Sequence, residues 1–262
     1  FGYRDMSSGN GFDGIYDEEA SVDPTTETIY GWYQPGDMEI VVSGLKTILL
    51  TANEGLPSKN PIGGEDVTLS NSSDYFNLEL DARYGFGATE DTNDPSYVFG
   101  SRSFSLWNIT DGISHPTLIW DSESLIEETL AELMPYYANS LKSTYSSGDS
   151  ASLSRGPEPA GIALGQLNDK DILIVSLEEM GGSMIFDLVN LDDTDNFEAY
   201  YQAYATNRYF HDDEDNPVVQ CDNYLGAKDV LFLSSAITSN FPGGDEGYES
   251  ILVSNDETGS LT

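Results

Sequence analysis

Leu49-Leu50-Thr51-Ala52-Asn53-Glu54 recurs in kind as Ile172-Leu173-Ile174-Val175-Ser176-Leu177-Glu178 and again as Ile251-Leu252-Val253-Ser254-Asn255-Asp256. Each is an apolar run of strand length that ends in an acid. Each also follows a shorter apolar run, from Met38 to Val42, Ile162 to Leu164 and Val230 to Leu233 respectively. The repeated unit is therefore strand, polar turn, strand, acid. A possible fourth copy runs Val98-Phe99-Gly100-Ser101-Arg102, with arginine at the terminal position. Further β-branched and aromatic runs, near 97–100, 104–109, 117–120 and 183–188, lie between Gly, Asn, Asp and Pro clusters. This is the pattern of an all-β domain with many turns.

Strand pairs repeating with no helix between them predict β-propeller blades of about 40–45 residues, some stretched by loop insertions. A β-sandwich is the competing architecture, although it does not require acids at matched strand ends. One stretch departs from the pattern. Ser124 with Glu127 forms a capping box, Ile126, Leu130, Leu133 and Met134 follow at helical spacing, and Pro135 ends the run. These signals predict one short connecting helix near 124–134. Residues 1–262 are expected to form a single β-propeller region. The chain begins at Phe1 without Met or a signal-like segment and stops at Thr262 after a strand-like stretch, so it is expected to be an incomplete fragment of a longer protein.

With 46 Asp+Glu against 10 Lys+Arg, the formal net charge is -36, yet 39% of the residues are hydrophobic. That is enough apolar material for a folded core, so the acidity does not indicate disorder. Such an excess is tolerated best where salt or divalent cations screen it. It also argues against nucleic acid and anionic membrane as partners, since both require clustered Lys or Arg. No apolar run approaches the roughly 20 residues of a membrane span, so no direct membrane insertion is expected. Cys221 has no partner for an internal disulfide. Asn71-Ser72-Ser73 and Asn108-Ile109-Thr110 are N-glycosylation sequons.

Four motifs add a resemblance. Thr51-Ala52-Asn53-Glu54-Gly55, Arg102-Ser103-Phe104-Ser105-Leu106-Trp107, Ser154-Arg155-Gly156-Pro157-Glu158-Pro159-Ala160-Gly161 and the Leu177–Asp187 run resemble, in order, the signatures of the choice-of-anchor I family. That family includes mesenchyme-specific cell-surface glycoproteins. The resemblance runs from about Tyr30 to the end and implies the C-terminal blades of a longer propeller, secreted or held at the cell surface. Some members are described as atypical alkaline phosphatases. The sequence departs from the family's pattern at Leu225-Gly226-Ala227-Lys228-Asp229-Val230, which lacks a Pro-Glu pair, at Asn255-Asp256-Glu257-Thr258-Gly259, and at Glu179, where the family has arginine.

Inner strands of a propeller converge on a central channel, so acids at matched strand ends should meet. Glu54, Glu178 and Asp256 are then a carboxylate cluster, with Arg102 as counter-ion and Asp37, Glu158 and Lys228 at the channel mouth. Such a cluster either holds a hard cation, Ca²⁺ or Mg²⁺, or is used structurally, bonding to turn backbones and to Arg102 or Arg155. Glu54, Glu178 and Asp256 are the metal-ligand candidates.

The acidic run from His211 to Asn216 lacks the glycine and the bidentate glutamate of an EF-hand and reads as a solvated loop. With His115 and His211 the only histidines, and no Gly-x-Ser-x-Gly elbow, His-Glu-x-x-His or P-loop, nucleophilic catalysis has little support. The expected function is a secreted or cell-surface structural or binding module, whose partners are divalent cations and other extracellular proteins or glycans. The alternative is a metal-dependent phosphoesterase. Tyr30, Trp32 and Tyr33, near turns, are either core residues or a contact surface for a protein partner.

Overall fold

The computed structural model describes residues 1–7, 11–17, 22, 27–57, 66–72, 75–141, 148–193 and 195–206, together with the backbone of 227–233, 250–255 and 260–261. The protein is all-β, with strands in several sheets and two short helices among the described residues.

Three sheets carry the repeated unit. The first joins β3 (Asp37–Ser43), β4 (Lys46–Ala52), β8 (Phe104–Asn108) and β9 (Thr117–Asp121) as an antiparallel meander. The second joins β10 (Pro159–Leu167), β11 (Lys170–Leu177), β12 (Ser183–Val189) and β13 (Glu198–Ala205) in the same order and sense. The third joins β14 (Ala227–Leu233), β15 (Ser250–Asn255) and β16 (Ser260–Leu261). In all three, the long apolar run of the sequence is the second strand and the shorter run is the first. Turn chemistry fixes the hairpins: Asn168 and Asp169, at φ 51 and 62, form the two-residue turn between β10 and β11. Asn and Asp tolerate the left-handed backbone that a primed turn demands.

The copies agree in their irregularities as well. The register shifts between Pro159 and Gly161 in β10 and between Ala227 and Asp229 in β14, against the last residues of β11 and β15. Between third and fourth strands it shifts at Leu106/Trp107 in the first sheet and at Ile185/Phe186 in the second. Bulges reproduced at matched places are features of a repeated unit rather than local accidents.

The first two sheets pack face to face. Ile48, Leu50, Ala52, Phe104 and Leu106 meet Ile162, Leu173, Val175, Leu177, Met184, Phe186 and Leu188 in one core. Fully burying a side chain of this size stabilises the fold by about 1.5–3 kcal/mol. The other face of the second sheet buries Ala163, Ile172 and Ile174. First strands adjoin: β10 lies alongside both β3 and β14.

Helix α2 (Leu125–Leu133) lies where the sequence predicts it, and Ile126 and Leu130 enter the main core. Its N-terminus differs from expectation. Ser124 makes no capping bond to the backbone, and its Oγ bonds Glu128 Oε1 at 2.7 Å. Glu127 is drawn away to Arg102 instead.

The stretch between β4 and β8 folds outside the first sheet. It contains β5 (Val67–Leu69), β6 (Glu79–Asp81), α1 (Gly85–Thr89) and β7 (Ser96–Val98). Strand β7 pairs in parallel with β2 (Ile29–Trp32), which is antiparallel to β1 (Tyr3–Asp5). Met6, Phe12, Ile29, Tyr75, Leu78, Leu80, Phe86 and Val98 form its separate core. The fourth copy expected at 98–102 is therefore not a repeat. Val98 ends a strand of this small sheet, and Arg102 sits in the turn that leads into β8.

Candidate functional site

The motifs of the sequence converge at the ends of β4 and β11. Beyond β4, Asn53 donates from its backbone to Ser103 O at 2.9 Å and from Nδ2 to Ser105 Oγ at 2.7 Å, and it accepts from Thr51 Oγ1 at 3.0 Å. Trp107 Nε1 donates to Thr51 Oγ1 at 3.1 Å. Thr51, Asn53, Ser103, Ser105 and Trp107 thus form one buried hydrogen-bonded patch joining two motifs distant in sequence. Gly55, at φ 82, lies so close to Gly100 that a β-carbon would overlap its backbone. The chain turns there because no larger residue fits. Gly36 has the same role toward Glu54: a β-carbon at Gly36 would occupy the space of the Glu54 carboxylate.

These constraints hold the buried Glu54 against two other buried acids. Glu54, Glu158 and Glu178 each offer a carboxylate oxygen within 4.8 Å of the others. Glu178 follows the last residue of β11, and its backbone N–H donates to Glu158 O at 2.8 Å. Glu158 directly precedes β10 at φ 56, a left-handed conformation uncommon for a residue other than Gly, Asn or Asp. Pro157 and Pro159 flank it. A bulky residue held in that region, between two prolines and with no exposure, is over-determined by its surroundings.

One cation among the described residues bonds into this group. Arg155, about one-fifth exposed, pairs with Glu158 Oε1 and reaches Glu179 Oε1 at 3.3 Å. The second oxygen of Glu158, Oε2, is buried and accepts no hydrogen bond. A buried carboxylate oxygen left without a donor is costly unless a charge lies beside it.

Of the other expected site residues, Asp37 opens β3, and its Oδ2 accepts from Ile162 N of β10 at 3.1 Å, tying two first strands together. Asp256 lies outside the described residues, although β15 ends at Asn255 in the register that β11 has at Leu177. Lys228 lies in β14. Arg102 is a correction. It is fully buried, and its Nη1 bonds Glu127 Oε1 at 3.0 Å while Nη2 reaches Ser152 O and Ser154 O at 2.6 and 3.0 Å. Its guanidinium also lies 4.7 Å from the Phe12 ring centroid. Five donors on a rigid fork can close several turns at once, and Arg102 does so beside α2 rather than serving the three glutamates.

That second buried network was not anticipated. Asp13 Oδ2 accepts from Asn139 Nδ2 at 3.1 Å and from Ser152 Oγ at 3.0 Å, and Asn139 also donates to Glu127 Oε1 at 2.9 Å. Burial, then the nearby charges of Glu127 and Asp149, push the Asp13 carboxyl up to about 9, against a smaller pull from Arg102. Asp13 opens the acidic run Asp13 to Glu19, which from sequence is expected to be a solvated loop, and no sequence signal marks it as buried.

Asn71 is exposed, whereas Asn108 is half-buried at the end of β8 with its Oδ1 accepting from Thr110 N at 3.0 Å. His115 is exposed in the turn before β9. His211, the acidic run after it and Cys221 lie outside the described residues. No helix among the described residues is long and apolar enough to cross a membrane.

Sheets with matched strand ends, joined by these glycine- and glutamate-bearing turns, define a recognised class: residues 1–191 match the choice-of-anchor I domain, and the chain belongs to that family. It is similar to a mesenchyme-specific cell surface glycoprotein of Strongylocentrotus purpuratus, at 25% identity over 114 residues, 40% of this chain. The match spans about 15% of the length of that relative. No solved structure matches the chain.

Proposed function

We propose that this chain forms adjoining blades of a β-propeller that acts outside the cell or at its surface, as a structural or binding module with a divalent cation at its centre. Three features support the propeller: four-stranded meanders stacked face to face, first strands β3, β10 and β14 that adjoin, and bulges at matched places. The location follows from the family and from the name of the sea-urchin relative. Net charge of -36 fits a medium rich in salt and divalent ions.

The observation that carries the cation is the convergence of Glu54, Glu158 and Glu178, with Glu158 Oε2 buried and accepting no bond. Their oxygens are hard donors, which select Ca²⁺ or Mg²⁺ over softer metals. Asp256, which follows β15 in the sequence as Glu178 follows β11, would add a fourth carboxylate. Glycans and other extracellular proteins are the partners such a module would present itself to.

Thermal unfolding in Ca²⁺ or Mg²⁺ tests the site. A ligand at 100 times its Kd stabilises by about 2.7 kcal/mol. The expected result is a saturable rise in Tm that a chelator reverses and that Glu158→Gln abolishes. An equal response in the wild type and Glu158→Gln would mean general screening of the acidic surface and would overturn the cation reading. Chelator-sensitive release of phosphate from an aryl phosphate would replace the binding module with a metal-dependent phosphoesterase.

A further inference from the structure

We propose that the outward face of the β1-β2-β7 sheet binds a Lys/Arg-rich segment of a protein partner, by laying cationic side chains on a platform of aromatic rings. Register sets the platform. Tyr3 is opposite Trp32, and Tyr30 is opposite Tyr97, so these four rings share one face. The other face carries Arg4, Ile29 and Val98, all buried. Trp32 stacks on Tyr97 with centroids 4.7 Å apart and planes 17° from parallel, and Tyr3 lies 4.3 Å from Tyr30. Tyr84, just before α1, extends the platform at 5.0 Å from Trp32.

A sheet with one solvated face ordinarily places polar residues on it. Here that face is aromatic, and Tyr3 and Tyr84 keep 47% and 48% of their surface exposed. The rings touch one another rather than standing singly, so the exposed parts of Tyr3 and Tyr84 belong to one continuous aromatic surface of the kind interaction sites use.

Charge selects the partner. The face of an aromatic ring is electronegative and attracts guanidinium and ammonium groups. The chain supplies its own example: Arg83 lies with its guanidinium carbon 5.8 Å from the Tyr84 ring centroid. Asp5, opposite Tyr30, is an exposed acid on the platform itself, and Glu90, Asp91 and Asp94 are exposed in the loop that leads to β7. The net charge of -36 steers a basic partner inward and repels an anionic one, sulfated glycans included. This surface is separate from the three glutamates and does not depend on a cation there.

Calorimetric titration of the whole chain with a decapeptide of alternating Lys and Arg, at physiological ionic strength, tests the proposal. Exposed cation–π contacts are worth about 0.5–1 kcal/mol each, so Tyr3→Ser and Tyr84→Ser should each weaken binding about two- to fivefold, and together about tenfold. Both rings are half-exposed, so the variants should keep the wild-type circular dichroism. Replacing Arg with Lys throughout the peptide should weaken binding further. Unchanged affinity in the double variant would mean diffuse attraction to the acidic surface and would overturn the proposal. So would tighter binding of a neutral hexasaccharide, lost in the same variant, which would make the platform a glycan site.

Discussion

The sheet β3-β4-β8-β9 and the sheet β10-β11-β12-β13 share strand order, sense and the bulge between third and fourth strands, yet their first strands sit in different surroundings. Strand β10 is buried on both faces from Pro159 to Ala163, lying between β3 and β14. Strand β3 alternates, with Val41 packed on the core while Met38, Ile40 and Val42 are 52%, 56% and 71% exposed. The residues on that open face are as apolar as those on a covered one. Burial in a repeated sheet is thus decided by the neighbouring sheet, and composition alone does not reveal it. The chemistry is divided in the same way: each sheet contributes a glutamate from its second strand's end, and only their apposition makes a cluster.

The comparison breaks most readily at the shared core. Phe186, fully buried on β12, touches Phe104 of the first sheet with ring centroids 4.9 Å apart. Phe186→Ala should cost about 3–5 kcal/mol in urea unfolding, the upper range for a large-to-small change. Arg102→Met should cost a similar amount, about 3–5 kcal/mol, because it strands Glu127 as an uncompensated buried charge. Pairing it with Glu127→Leu should recover part of the loss, since both ionic partners are then gone. Full additivity of the two losses would show that Arg102 acts through its backbone-carbonyl bonds alone.

What is legible in the sequence follows the same division. Runs such as Thr47 to Thr51 and Ile172 to Ser176 became second strands, because continuous apolar residues of that length have to be buried on both faces. Strand β13, Glu-Ala-Tyr-Tyr-Gln-Ala-Tyr-Ala, was not legible: it is an outer strand with exposed polar positions, and its pattern resembles a loop's. The strands β1, β2, β5 and β6 were missed for their brevity, three or four residues each. Repeat position puts Glu54 and Glu178 at the ends of second strands, and the fold brings their carboxylates together. Glu158 was placed only at the channel mouth, because the bend that turns it inward depends on a left-handed backbone that no side-chain pattern reveals. Arg102 was misassigned because its motif position gave no sign of α2, which supplies its carboxylate partner from a segment distant in sequence.

A smaller effect separates the two networks by pH. Asp13 titrates near 3.8 when unfolded and at about 9 in the folded chain, so the folded state binds the extra proton between those values. Its contribution to stability is complete below about 4 and declines as pH rises toward 9. Asp13→Asn keeps the shape and removes that titration. The Tm of the variant should vary less between pH 5 and about 9, and should exceed that of the wild type at the alkaline end. Parallel Tm–pH curves for the two proteins would show that Asp13 is not the group responsible.

The least effect is expected where the first sheet is open. Ile40 and Val42 project from β3 into solvent, so removing apolar surface there gives up little burial. Ile40→Thr retains the β-branch and should change stability by less than about 0.5 kcal/mol, the usual range for an exposed site. In the second sheet Ile162→Thr, on the face of β10 that enters the main core, places a hydroxyl under a neighbouring sheet and should cost about 1–3 kcal/mol. The ratio of the two losses measures how much a neighbouring sheet contributes to a first strand. If Ile40→Thr proved as costly as Ile162→Thr, β3 would be covered in solution by another sheet or another copy of the chain. Dilution would then tell these apart, because only the contact between copies weakens as the protein concentration falls.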